Sequence, residues 1–143
     1  MLDHARLVTV TGFGGVGKSR LALRTARQSE RVFADGVWLV ELAPLSDPGL
    51  VPTAVARGLG LGDDRPRDLE EELADHVAGR RLLLVLDNCE HVLPAAARLL
   101  GRLLRAAPDL RVLTTSREPL GLEGEAVYQL TPLAQPEAVS LFR

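Results

Sequence analysis

Five consecutive apolar residues, Leu82-Leu83-Leu84-Val85-Leu86, form the longest uninterrupted apolar stretch of the chain and stop at Asp87. A strand with one wet face alternates apolar and polar residues. One that is apolar at every position is covered on both faces, the condition of a central strand in a parallel sheet. Other short runs read as its partners: Arg6 to Thr11, halted by Gly12; Val37 to Leu42, closed by Pro44; Leu110 to Thr115, ending in Ser116-Arg117; and Ala126 to Leu130. Between them the apolar period lengthens to that of a helix. From Lys18 it takes in Leu21, Ala22, Thr25 and Ala26. After the capping pair Asp47-Pro48 it runs through Val51, Ala54 and Val55 to about Arg57. From about Asp68 to Ala78 it shows Leu69, Leu73 and Val77. After Pro94 the stripe is Ala96, Leu99, Leu100, Leu103 and Leu104, and a last helix starts over Gln135 to Arg143. Strands alternating with helices connect through right-handed crossovers, so the expected fold is α/β, a mostly parallel five-stranded sheet with helices on both faces.

Composition bounds the function classes. At 143 residues, with 46% hydrophobic, 25% charged and only 3% aromatic residues, the chain makes one domain (residues 1–143) with a core of Leu, Val and Ala. A net charge of −2 argues against clamping nucleic acid by an overall field, so no direct nucleic-acid binding is expected. Cys89 is the lone cysteine and supports neither an internal disulfide nor a structural zinc site. The apolar runs are too short to span a membrane and the N-terminus lacks a signal-peptide layout, which points to a cytoplasmic location.

Of the 17 basic residues, 16 are arginine and one is lysine, Lys18. That lysine lies in Gly12-Phe13-Gly14-Gly15-Val16-Gly17-Lys18-Ser19, which fits the pattern G-x-x-x-x-G-K-[ST] between a strand and a helix. Glycines let successive N–H groups turn inward as a nest for an anion, and the following helix aims its N-terminus at the same point. A compact ammonium fits so tight a nest where a planar guanidinium does not. Gly12, Gly14, Gly15, Val16, Gly17, Lys18, Ser19 and Arg20 are therefore the candidate phosphate-binding residues. The Ser19 hydroxyl is a candidate Mg²⁺ ligand.

Asp87, at the carboxyl end of a central strand, is where ligands bind in open α/β sheets, and it is the second candidate Mg²⁺ ligand beside Ser19. Hydrolysis also needs a group that orients water. The residue after Asp87 is Asn88, whose amide can orient water but cannot take its proton. Glu90 is the nearest acid, and it reads equally as a water-orienting group or as an acid favouring the N-terminus of the next helix. The polar strand end Thr114-Thr115-Ser116-Arg117 can reach a terminal phosphate, with Arg117 reporting its presence. Trp38 reads as a packing anchor and Cys89 as a partly buried filler. His4 and His76 lack metal-ligand spacing, and His91 reads as structural. The acidic run Glu70-Glu71-Glu72 and the stripe Arg98, Arg102, Arg105 read as solvated helix faces.

The segments Gly12 to Ala22, Asp35 to Leu45, Leu84-Val85-Leu86-Asp87-Asn88-Cys89-Glu90-His91 and Thr114-Thr115-Ser116-Arg117-Glu118-Pro119-Leu120-Gly121 resemble the STAND signalling ATPases, also called NB-ARC or AP-ATPases. The resemblance is to the bacterial branch fused to LuxR-type or SARP-type transcription activators. It implies a three-layer P-loop NTPase core with sheet order 5-1-4-3-2 and an ATP/ADP switch using Mg²⁺. It further implies Arg117 as γ-phosphate sensor, and partners that are other domains of a larger regulator or copies of itself in the ATP state. The family's upstream adenine-contacting segment, helical lid, winged helix and DNA-binding unit have no counterpart in these residues. The expectation is thus a truncated core with weak nucleotide affinity and slow hydrolysis in isolation. The alternative is a module that holds ADP for structural reasons without significant hydrolysis.

Overall fold

The computed structural model describes residues 5–13, 17–62 and 68–131. Its strands are β1 (Leu7–Thr11), β2 (Val37–Glu41), β3 (Leu83–Asp87), β4 (Arg111–Ser116) and β5 (Glu125–Gln129). They form one sheet in the order β2-β3-β4-β1-β5, and every neighbouring pair is parallel. This is the order expected from the resemblance, read from the opposite edge. The apolar run places β3 inside the sheet, where all five of its residues are buried.

Parity along the strands divides the interior into two cores. Val8, Val10, Leu83, Val85 and Leu113 face helix α1 (Lys18–Gln28), which buries Leu21, Ala22 and Ala26 against them. Leu7, Val40, Leu84, Leu86 and Val112 face α2 (Val51–Gly58), α3 (Leu69–Val77) and α4 (Leu93–Ala106). The helices thus lie on both faces, one against three. Among the described residues no helix is long and apolar enough to cross a membrane.

Several expectations shift in detail. Asp47 accepts from the Gly49 amide as expected of a cap, but it opens a 3₁₀ turn (Pro48–Leu50) that then becomes α2. Helix α2 continues to Gly58, where only a glycine fits: a Cβ would collide with Val40 Cγ2 and come within 3.2 Å of the Leu39 carbonyl oxygen. Asp68 caps α3 through the Glu70 and Glu71 amides. Leu104 is only half-buried, so the α4 stripe is narrower than expected. The acidic run is not wholly solvated. Glu70 turns inward between helices and pairs with Arg98 (2.7 Å) and Arg102 (3.3 Å), which ties α3 to α4. Trp38 packs on the larger core while its Nε1 donates to the Asp35 carbonyl at 2.8 Å, an anchor as expected. Cys89 is wholly rather than partly buried. The helix expected over 135–143 and His4 lie outside the described residues, as do residues 63–67.

Candidate functional site

Strands β1, β3 and β4 end side by side at the carboxyl edge of the sheet, and α1 begins over that edge. Gly17 opens α1 with φ 93°, a left-handed conformation that glycine adopts without the strain a side chain would bring. Lys18 and Ser19 then occupy the first turn. The Lys18 side chain is buried, and its Nζ donates to the carbonyl oxygens of Gly12 (2.7 Å) and Phe13 (3.2 Å). An ammonium carries three N–H donors, so one is left for an acceptor outside the loop. Gly14, Gly15 and Val16 lie outside the described residues. The Arg20 side chain is exposed on the outer surface of α1 with Leu23 and Arg27, which leaves its backbone N–H as its link to the loop.

Ser19 Oγ donates to Asp87 Oδ1 at 2.9 Å, so two residues separated by 68 positions meet at one corner. The same Oδ1 accepts from the Thr115 hydroxyl. Thr115 Oγ1 in turn accepts the Asn88 amide N–H at 2.8 Å, and the Thr115 carbonyl accepts the Cys89 N–H at 2.9 Å. Asn88 has φ 64°, a left-handed conformation that Asn tolerates better than most residues, and its Nδ2 lies 3.4 Å from Asp87 Oδ2. Thr115 was legible only as part of a polar strand end. Strand parity separates it from Thr114, because Thr115 shares the α1 face with Leu113 whereas Thr114 bonds Thr9 Oγ1 (2.8 Å) across β1.

Glu90 opens a 3₁₀ turn (Glu90–Val92) ahead of α4 and lies outside the first turn of that helix, which holds no acidic residue. Its Oε1 is buried without a hydrogen-bond partner among the described residues. Cys89 is fully buried behind the site. Burial pushes its thiol above the ordinary range, and the nearby charges of Glu90 and Asp87 push it the same way. Arg117, just past β4, is exposed and lines a cavity of about 130 Å³ with Thr11, Phe13 and Gln129, beside the start of the glycine loop.

Hydroxyl and carboxylate oxygens are the donor set of a hard cation such as Mg²⁺. No group of three or more His, Cys, Asp or Glu side chains converges among the described residues. A cation at Ser19 and Asp87 therefore has to draw further ligands from water or from a bound anion. One buried ammonium, one helix N-terminus and one oxygen-donor corner together suit a polyphosphate accompanied by its metal.

A family model described as an AAA domain matches residues 2–120, from before β1 to beyond Arg117. The chain belongs to that family. Among curated relatives, this AAA domain is 46% identical to the Mycobacterium tuberculosis protein named "Putative HTH-type transcriptional regulator Rv0890c", over 99% of the chain but only 16% of that protein. It is 35% identical to the regulatory protein AfsR of Streptomyces griseus, over 93% of the chain and 14% of AfsR. The chain thus spans well under a fifth of these relatives. Among solved structures, the Pyrococcus horikoshii STAND protein with a tetratricopeptide repeat sensor superposes with a TM-score of 0.54 at 19% identity, over 90% of this chain and 21% of that one. Cdc6p of Pyrobaculum aerophilum gives 0.57 at 19% identity, over 92% of this chain and 41% of that one. At such identities the likeness shows the fold, that of the P-loop NTPases.

Proposed function

We propose that this AAA domain is an ATP/ADP-binding switch of the STAND (NB-ARC) type, serving a larger LuxR- or SARP-type transcriptional regulator in the cytoplasm. The observation that carries the reading is the convergence of Lys18, Ser19 and Asp87 at the carboxyl edge of the sheet. Lys18 directs its remaining N–H at the outer phosphates. The backbone amides of the loop from Gly12 to Arg20 surround them. Ser19 and Asp87 hold Mg²⁺, which when bound neutralises charge on the phosphate tail.

In slow hydrolysis, a water oxygen forms a bond to the γ-phosphorus and gives up a proton to the Glu90 carboxylate, as the bridging P–O bond breaks and ADP leaves with the electron pair of that bond. Glu90 is assigned the water-orienting role. It lies outside the first turn of α4, and its buried Oε1 lacks a donor among the described residues. Arg117 reads the γ-phosphate from the cavity beside the loop. The ATP state exposes surfaces for self-association or for other domains of the regulator.

Asn88 favours a second reading, an ADP-holding module with negligible turnover. An amide stands where an acid could take a proton from the attacking water, and one of its N–H groups is directed to Asp87 Oδ2 at 3.4 Å. Single-turnover release of phosphate from millimolar MgATP separates the two. The switch reading expects slow release, reduced about a hundredfold or more in Glu90→Gln, the contribution typical of a general base. Release absent in the wild type, with ADP still bound, favours the module. Equal release from wild type and Glu90→Gln removes Glu90 from its assigned role.

A further inference from the structure

Thr115 occupies a place that the pairing of β3 with β4 leaves unfilled. The ladder between these strands runs from Leu83↔Arg111 to Leu86↔Thr114 and ends there. One step further, at Asp87, the β3–β4 pairing stops although Asp87 still pairs with Glu41 of β2 and Thr115 with Val10 of β1. Two bonds from Thr115 replace the ladder: its hydroxyl oxygen takes the Asn88 N–H and its carbonyl takes the Cys89 N–H. They hold Asn88 in its left-handed turn. The same hydroxyl donates a hydrogen bond to Asp87 Oδ1.

We propose that Thr115 is a positioning residue for the cation: its hydroxyl, fixed between Asn88 N–H and Asp87 Oδ1, sets the carboxylate against which Ser19 is oriented. The proposal rests on the nucleotide-switch reading and names a determinant of its magnesium affinity.

With Oδ1 held by Thr115, the Ser19 proton is directed onto the same oxygen at 2.9 Å. The lone pairs of Ser19 Oγ then face away from Asp87, free to take a hard cation. Without the Thr115 hydroxyl the carboxylate loses a donor that fixes its rotation, and Ser19 loses a fixed acceptor. Threonine suits the position for two reasons. Its β-branch restricts χ1, so the hydroxyl has fewer directions open to it than an unbranched side chain would have. Its methyl group also fills space at a residue with 0% exposure. The neighbouring Thr114 is an internal control, because it too is fully buried and donates to a hydroxyl at 2.8 Å, but on the opposite face of the sheet.

The test uses the 143-residue chain and isothermal calorimetry of ADP and ATP in excess Mg²⁺ and in EDTA, with melting curves alongside. The quantity read is the gain in affinity that Mg²⁺ brings. Thr115→Val is expected to shrink that gain by about tenfold or more, as the loss of a hydrogen bond to a charged group would, while affinity in EDTA stays within about threefold. Thr115→Ser keeps the hydroxyl and should retain the gain to within about threefold. Thr114→Val should lower the melting temperature yet leave the gain at the wild-type value.

A wild-type gain in Thr115→Val overturns the proposal, and so does an equal loss in Thr114→Val. Should Thr115→Val lose its cooperative melt, Thr115→Ser decides: retention of the gain supports the proposal, and a tenfold drop overturns it. Wild-type chain that binds neither nucleotide, with or without Mg²⁺, refutes the underlying reading instead, whatever the variants do.

Discussion

Replacing Lys18 with methionine isolates the charge on which the proposed phosphate site depends. Methionine keeps an unbranched stem of similar length, so the buried apolar part of a side chain with 8% exposure is largely preserved. Two consequences can be separated. In the folded protein the carbonyls of Gly12 and Phe13 lose a donor, but Phe13 is 79% exposed and Gly12 only half-buried, so water can replace it. Stability should fall by about 1 kcal/mol or less, a few degrees in melting temperature. In the complex the loss is larger. A hydrogen bond to a charged group contributes roughly 1.5–3 kcal/mol, and two unit charges 4 Å apart attract by about 4 kcal/mol at an effective dielectric constant of 20. These overlap rather than add, giving a loss of about 2–4 kcal/mol, or roughly 30- to 700-fold in Kd. Calorimetric titration with MgATP reads the affinity and a thermal melt reads the fold. The reasoning is refuted if Lys18→Met melts like the wild type and binds MgATP within about threefold of it.

Leu84→Ala opens a cavity at a fully buried position of the internal strand β3 and should cost about 2–5 kcal/mol, read as a lower urea midpoint. A cost under about 1 kcal/mol would contradict a strand covered on both faces. For Cys89, burial and then the charges of Glu90 and Asp87 raise the folded thiol above its ordinary value of 9.0, so the unfolded chain loses this proton first as pH rises. The contribution to stability is therefore complete below about pH 9 and declines from there toward the higher folded value, by up to about 1.4 kcal/mol per pH unit. Urea titrations between pH 8 and 10.5 should show a shallower alkaline decline in Cys89→Ala than in the wild type; parallel curves would refute it.

The parts of the fold that could be read from sequence are those where one local pattern has one physical meaning. The unbroken run Leu82 to Leu86 signalled a strand covered twice, and β3 is interior. The glycine loop before Lys18 signalled a turn into a helix, and Gly17 opens α1 in a left-handed conformation. Parity and pairing across the fold were harder. Glu70 looked like any member of an acidic run, because its inward turn depends on where α4 brings Arg98 and Arg102, 28 and 32 residues away. Thr115 was hidden for a related reason. Its importance comes from the end of the β3–β4 ladder and the left-handed Asn88, neither of which has a signature in a run of two threonines.

Those two threonines also show how the segment carrying Arg117 is held. Thr115 fixes the end of β4 to the Asp87 turn on the α1 face. Thr114 bonds Thr9 on the other face, and Thr9 donates to Glu125 Oε2 at 2.5 Å. Glu125 also accepts the amides of Leu120 (2.8 Å) and Gly121 (3.0 Å), so one carboxylate ties the connection after β4 back to the edge strand β5. Nearer the strand, the Ser116 hydroxyl accepts the Glu118 amide at 3.4 Å. The backbone around Arg117 is thus anchored on both sides while its side chain stays exposed. If Arg117 senses a terminal phosphate as proposed, rotation of its side chain suffices. A rearranged connection at Leu120 would have to break its bond to Glu125, which lies in a part-buried setting where an unmet carboxylate or amide is costly.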